Sequence, residues 1–498
     1  MNGWIPQTQG LALGIFFDFG GTCTKFLKNI KLIEFKIIKK DFSTIYGVFF
    51  GVLFLIRAVL NYIIPLTDKT EARYGEIARL MAETGNWIVP QIDYGIPFWA
   101  KPPLSTWLSA SSMTLFGENE FALRLPYLII AMIITFLLGR YALQKKINFF
   151  IPGIILFTLP EFFLHGGVIS TDLMLSFSVA LTMLGFWECI YTNNKTLWGY
   201  LFFVGIGLGL LSKGPIVGVL TIPPIFIWLI RFRVSPKKIF RLPWLLGVFI
   251  VLIIALPWYY LMEKNSPGFI DYFVLGEHFL RFIDSSWAGD KYGFPKQQPL
   301  GIIWLFLFAG ALPWSFILIG KIKGKIITIW NDKWQLFLWL WVLWTPFFFT
   351  FSKSLIHTYT LPIMIPITLL IVSKWSSFKR KKNILTIALS LPILLFGAYF
   401  LKPAQQAIRE STDKYLVQQS IDHGITLYAL LFKSYSSQFY SKGRVKVITP
   451  SELENMVNNS KIFSVIIQDR HKRQIAPEIL GKLNPKVIRK KDGLYASH

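Results

Sequence analysis

The sequence predicts a polytopic α-helical membrane protein of about 11 to 13 spans, closed by a small C-terminal α/β domain. Three observations carry that prediction. Of 498 residues, 53% are hydrophobic and 16% charged, below the ~25% charged share of soluble domains. Apolar runs of about 18 residues or more recur along the chain, each long enough to cross a bilayer as a helix. Past residue 401 that character stops, and short strand-like stretches replace it.

The formal charge of +25 does not point to nucleic acid. Most of the excess sits in short loops between spans, as the positive-inside bias requires, where it also suits anionic membrane lipids. Two cysteines, Cys23 and Cys189, make a disulfide framework or a cysteine metal site improbable.

Residues 1–44 form a basic leader carrying Lys25, Lys28, Lys31, Lys36, Lys39 and Lys40. No cleavable signal is expected, because the apolar piece 11–19 is short and interrupted by Asp18. The first span is 45–64, and the basic leader puts its start inside the cell. Further spans are expected near 121–143, 147–164, 173–191, 198–211, 215–230, 243–262, 299–319, 335–351, 357–373 and 384–401. Lys145-Lys146, the basic group 231–241, Lys321 to Lys333 and Lys374 to Lys382 then all fall on one side. Two long loops, 66–120 and 263–298, fall on the other, together with the tail 402–498. The spans and their loops, 45–401, form one unit. In the tail, 443–450 and 461–468 read as strands. Ser451, with Glu454 three residues on, reads as a capping box between them.

The first loop reads as chemistry. Residues 70–83 have helical spacing, and Gly85-Asn86 would end a helix lying flat on the outer membrane face. Asp68 and Glu71 stand at its N-terminus. They either cap it against the helix dipole or serve as a general base or metal ligand. Lys101 leads a Lys-Pro-Pro turn after Phe98-Trp99, where two prolines fix its direction toward a lipid phosphate. The plainer alternative is a lysine snorkelling to the interface.

Later polar residues reach the same outer level. Asp172 starts a span, as an N-cap or as a functional charge. Lys213 sits in the minimal turn Ser212-Lys213-Gly214-Pro215, against the charge bias, which favours an anionic partner. Glu277, His278 and Arg281 share one side of a helical turn. The first two can share a divalent metal, and Arg281 can hold a phosphate. Ser352-Lys353-Ser354, His357 and Tyr359 repeat the theme. Together they describe a site at the outer boundary: cations for an anionic lipid, carboxylates for acid–base work. A transporter for a lipid-linked sugar would hold its charges near the midplane and often show internal repeats. Neither feature is visible here.

These segments resemble a known family. TEARYGEIARLMAETGNWIVPQ, FWAKPPLSTWLSA and LFGENEFALRLP in the first loop are similar to the bacterial ArnT-like glycosyltransferases. These are GT-C membrane enzymes related to protein O-mannosyltransferases, and include the aminoarabinose transferase of lipid A. The resemblance continues in order through Asp172, SKGP at 212–215, Pro257-Trp258, GEHFLRF at 276–282, Pro313-Trp314 and SKSLIHTYTLP at 352–362. It covers about 45–400.

The resemblance implies a GT-C fold in the bacterial inner membrane and a periplasmic active site. It implies a polyprenyl-phosphate sugar donor, an inverting single displacement, and lipid A, another glycan or a protein as acceptor. It implies catalytic carboxylates among Asp68, Glu71 and Asp172, and donor binding by Arg73, Tyr74, Lys101, Lys213, Arg281 and Tyr359. Two departures stand out. The family's adjacent Asp-Glu before Arg-Tyr is Thr70-Glu71 here, with Asp68 two residues earlier. The glutamate before Lys-Pro-Pro, a metal ligand in the aminoarabinose transferases, is Ala100.

Overall fold

The computed structural model describes residues 44–191, 195–284, 287–292, 297–322, 326–422 and 424–497. The basic leader, except Thr44, lies outside them. Every expected apolar segment falls on helical chain. Six helices are long and apolar enough to cross a membrane unaided: Thr44–Ile63, Glu120–Gln144, Thr171–Tyr191, Trp244–Asn265, His357–Ser377 and Lys381–Tyr399. A seventh span results if Ile302–Gly310 and Trp314–Gly320, bent by 106°, are taken together.

The unbroken spans are fewer than the apolar segments because some helices are short and two segments are broken at proline, Pro160 and Pro313. Pro160 has no N–H and pushes the residue before it out of the helical region. Leu159 is accordingly extended (φ −76°, ψ 119°), and the segment expected at 147–164 becomes Ile151–Thr158 and Pro160–His165.

Thr171–Tyr191 is the central helix, with 89% of its most apolar stretch buried. Its hydroxyls cost little inside. Ser176, Ser178 and Thr182 each donate to the carbonyl one turn back, at 2.7, 2.7 and 2.9 Å. Close packing of Lys195–Lys213 along this helix brings Ser212 near its N-terminal turn, where Ser212 Oγ donates to Thr171 O at 2.9 Å.

Within the first loop, helix Thr70–Thr84 ends at Gly85 as expected. It does not lie on the surface, however. Ala72, Tyr74, Ile77 and Met81 are buried, and so are Glu71, Glu76 and Arg79. The cover comes partly from the tail. Leu66 N donates to Tyr440 Oη (2.7 Å), Tyr440 Oη donates to Glu120 (2.9 Å), and Lys433 pairs with Asp93 (2.7 Å).

A short hairpin, β1 (Gln91–Asp93) and β2 (Ile96–Pro97), leads into the Lys-Pro-Pro turn. The tail holds β3 (Leu427–Leu430), β4 (Lys446–Ile448), β5 (Ser464–Gln468), β6 (Asn484–Ile488) and β7 (Asp492–Ala496). They form one sheet in the order β4-β3-β5-β7-β6. The first three are parallel; β7 is antiparallel to both β5 and β6. The capping box is Thr449 with Glu452, two residues ahead of the Ser451–Glu454 reading. Pro450 accounts for the shift, since its fixed φ suits the first helical position.

Candidate functional site

Two ion-paired groups face one cavity. Lys213 closes helix Lys195–Lys213, and Gly214 turns the chain at once with φ +77°. A side chain at Gly214 would strike the Phe273 ring, 2.6 Å from an added Cβ. Lys213 is thereby held against the Asp172 carboxylate. The other Asp172 oxygen accepts from Thr358 Oγ1 at 2.9 Å. Lys213 Nζ also lies 4.2 Å from the centre of the Tyr359 ring, a cation–π contact.

The second group centres on Glu277. Lys101 Nζ lies 2.8 Å from Glu277 Oε2, and Arg281 Nη1 is 3.1 Å from both Glu277 oxygens. Tyr272 Oη donates to Oε1 at 3.3 Å. Burial pushes the Glu277 carboxyl up, but Lys101 and Arg281 outweigh it and hold it at about 2. The expected α-turn here is a π-helix, Asp271–Leu280, a form that recurs at functional sites. His278 joins the two groups: Nε2 lies 3.0 Å from Lys213 O, and Nδ1 2.7 Å from Phe273 O.

The cavity between them is about 170 Å³. Lys101, Lys213 and Arg281 line it, with Asp172, Glu277, His278 and Tyr359. Asp290 stands near Arg281, 3.6 Å from it. Most of the remaining wall is apolar, with Leu175, Ile216, Leu220, Phe282, Phe348 and Phe349, and Ser352 and Ser354 complete it. Such a lining has the chemistry to accept an amphiphile, with cations for an anionic head and apolar side chains for its chain.

The other expected residues stand outside this lining. Glu71 is locked to Arg124 by two parallel bonds, 2.7 and 2.6 Å. Asp68 accepts from the backbone N of Ser436 in the tail (3.1 Å) and from its hydroxyl. Burial pushes the Asp68 carboxyl up to about 6, against those hydrogen bonds. Arg73 donates to Tyr292 O at 2.9 Å and stacks near Tyr74 and Phe98. Tyr74 is buried beside Phe98, and its hydroxyl feels Asp172, Lys213 and Glu277. Lys353 is exposed, and its carbonyl accepts from Gln298 N at 2.8 Å.

Several contributors went unread in the sequence, apart from Trp99, which was read only as an aromatic beside the Lys-Pro-Pro turn. Thr358 and Tyr272 orient the two carboxylates. Tyr292 and Trp99 tie the two long loops together: Tyr292 Oη donates to Pro97 O (2.8 Å) and accepts from Trp99 N (3.1 Å). All four are neutral residues, and hydropathy gives such residues no signal. Position was the available clue, since Thr358 adjoins Tyr359.

A metal at Glu277 and His278 would need further donors. Ala100 is buried and offers none. Glu277 is engaged by two cations, and both His278 nitrogens face carbonyl oxygens. Among the described residues, the one cluster of three His, Cys, Asp or Glu ligand atoms lies elsewhere, at Glu161, His165 and His357.

Residues 48–273 match the family described as dolichyl-phosphate-mannose-protein mannosyltransferase. Among curated relatives, an undecaprenyl phosphate-α-4-amino-4-deoxy-L-arabinose arabinosyl transferase of Wigglesworthia glossinidia brevipalpis is 29% identical over 351 residues. That alignment covers 68% of this chain and 61% of the relative. One from Pseudomonas fluorescens is 27% identical, covering 72% and 65%. The chain thus spans about three-fifths of the length of these relatives. The crystal structure of ArnT from Cupriavidus metallidurans bound to undecaprenyl phosphate superposes with a TM-score of 0.74 at 14% identity, covering 92% of this chain and 98% of that one. The chain shares the fold of that structure, and in sequence it is similar to the arabinosyl transferases. This agrees with the resemblance read from the first loop, SKGP and GEHFLRF, and with the membrane-embedded helical architecture.

Proposed function

We propose that this protein transfers a sugar from a polyprenyl-phosphate donor to lipid A or another cell-surface acceptor, at the periplasmic face of the bacterial inner membrane. The observation that carries this reading is the two-natured cavity, lined both by three cations and by apolar side chains. A polyprenyl phosphate has the same two parts. Lys101, Lys213 and Arg281 hold the phosphate and neutralise it as it leaves. Lys213 is already shaped for this by Asp172 and Tyr359. Of the three candidate carboxylates, Asp172 is the one that lines the cavity, which supports it as the carboxylate that acts at the reacting end. Asp68 has the basicity of a general base but is turned toward Ser436. Glu71 is engaged with Arg124.

The one-sided basic loops support the orientation. Residues 45–401 then act as the transferase unit, with 402–498 as a periplasmic domain closing over its first loop. The curated relatives, named as undecaprenyl phosphate-aminodeoxyarabinose arabinosyl transferases, support a polyprenyl-phosphate sugar donor, and the resemblance of the first loop supports lipid A as acceptor. The match to a protein mannosyltransferase family over 48–273 supports a protein acceptor as the second reading.

Mass spectrometry of lipid A from a strain lacking this protein tests both. Loss of one sugar mass, restored by the wild-type chain but not by Arg281→Ala, is the expected result. Unchanged lipid A with loss of glycosylated periplasmic proteins would move the acceptor to protein. No change in either would remove the transferase reading.

A further inference from the structure

A cluster away from the donor cavity has no role in the transfer described above. Pro160 breaks a span and starts the short helix Pro160–His165. That helix carries Glu161 and His165 four residues apart, on one face. Chain 196 residues further on brings His357 against the same carboxylate, with Nδ1 at 3.1 Å from both Glu161 oxygens. His165 Nε2 lies 3.7 Å from Glu161 Oε1. The two imidazole rings are 4.9 Å apart, centre to centre. One ligand atom from each of the three residues falls within 4.8 Å of the others.

We propose that Glu161, His165 and His357 bind a zinc ion. The spacing argues for it. A tetrahedral zinc with bonds of about 2.0–2.2 Å holds its donors roughly 3.3 Å apart. The carboxylate-to-imidazole separations of 3.1 and 3.7 Å bracket that value. Two imidazoles and one carboxylate suit zinc rather than magnesium or calcium, which prefer oxygen ligands. Access and rigidity also fit. The Glu161 side chain is only 6% exposed, whereas that of His357 is 51% exposed, so the ion can enter from the His357 side. Gly310 makes room: a Cβ there would come within 2.9 Å of Glu161 Cβ.

The consequence reaches the donor cavity. His357 is followed directly by Thr358, which holds Asp172, and by Tyr359, which covers Lys213. A zinc fixing His357 to Pro160–His165 would fix those two contacts as well. Glu161, His165 and His357 are thus positioning residues for the cavity, not catalytic ones.

The test reads metal, so it stands apart from the donor assignment. The full chain is purified in detergent, treated with zinc, desalted, and its metal content measured by mass spectrometry. About one zinc per chain is expected, falling to under about a tenth in His357→Gln and in His165→Gln. His357 is half exposed, so its replacement leaves the fold intact, as gel filtration would check. Cobalt substitution should give the visible spectrum of a site with two imidazoles in the wild type and not in His357→Gln. A wild-type chain that retains no zinc overturns the proposal. So does zinc that survives the His165→Gln/His357→Gln double change but is lost in His278→Gln, which would move the ion to the second loop.

Discussion

The Glu71–Arg124 pair and the Lys101–Glu277–Arg281 group are built from the same residue types. In the first, the side chains are 7% and 2% exposed, and both carboxylate oxygens are taken at 2.6–2.7 Å. The remaining guanidinium donors of Arg124 go to backbone carbonyls, among them Asn61 O at 2.8 Å and Pro65 O at 3.2 Å. In the second, Lys101 is 18% and Arg281 28% exposed, and the guanidinium sits at 3.1 Å. Arg281 has five N–H donors and Lys101 three, more than Glu277 can accept, and both open on the cavity. A saturated pair is architecture, whereas a pair with spare donors facing a cavity can take an anion.

The largest effect is expected from Glu71→Ala. It strands the Arg124 charge in a dry interior and should cost about 3–5 kcal/mol. Thermal unfolding in detergent would show it as a large drop in melting temperature. A Glu71→Met/Arg124→Met double change should recover most of that loss. An unchanged melting temperature with transfer abolished would instead make Glu71 catalytic, and the contrast drawn above would fail.

Next in size is Arg281→Ala. Glu277 keeps Lys101, so stability should change little. Transfer should fall by about 10²-fold, the order seen when one charge-stabilising donor is removed. A comparable loss of melting temperature would put Arg281 in the same class as Arg124.

The cavity was more legible than the clamp, for a physical reason. Lys101, Glu277, His278 and Arg281 lie in the two long loops, and Asp172, Lys213 and Tyr359 in or beside short turns between apolar spans. Charge or polarity there is out of place and draws notice. Arg124 lies in the first turns of a span, and its partner is 53 residues away. Nothing local in the sequence pairs them, so Glu71 read as a candidate catalyst. The Glu161 cluster was missed similarly: Pro160 hides inside an apolar run, and His357 is remote from it. For the fold, hydropathy located the helical segments but not the proline breaks that divide them. The tail's strands at 446–448 and 464–468 fell inside the expected stretches, but their order in the sheet depends on pairings that no local pattern records.

A third prediction concerns Asp68, which joins the first loop to the tail. Its folded carboxyl is raised from 3.8 to about 6. For an acid so raised, the folded form binds the extra proton between those values. Stability from this group should therefore fall as pH rises from about 4 to 6, and level off above. A two-unit shift corresponds to about 3 kcal/mol, and partial exposure should reduce it to about 1–2 kcal/mol. Melting curves between pH 4 and 7 should show that slope in the wild type and lose it in Asp68→Asn. An identical slope in both would mean that Asp68 is ionised in place, with Ser436 fully compensating its burial.

The smallest effect separates the tail's contacts from one another. Lys442 pairs with Glu118 at 3.0 Å, but the two side chains are 62% and 38% exposed. Lys414 pairs with Glu120, at 26% and 14% exposed, and Tyr440 shares the same carboxylate. Water screens the first pair, so Lys442→Ala should cost no more than about 0.5 kcal/mol. Losing Lys414 leaves a half-buried carboxylate with only a neutral hydroxyl, and should cost about 1–2 kcal/mol. Raising salt should erase the Lys442 effect and leave most of the Lys414 effect, because a Debye length of about 3 Å at 1 M reaches exposed pairs first. Equal losses at both positions, equally salt-sensitive, would mean that the tail is held by surface charge alone. The buried contact of Tyr440 with Leu66 would then carry none of the docking.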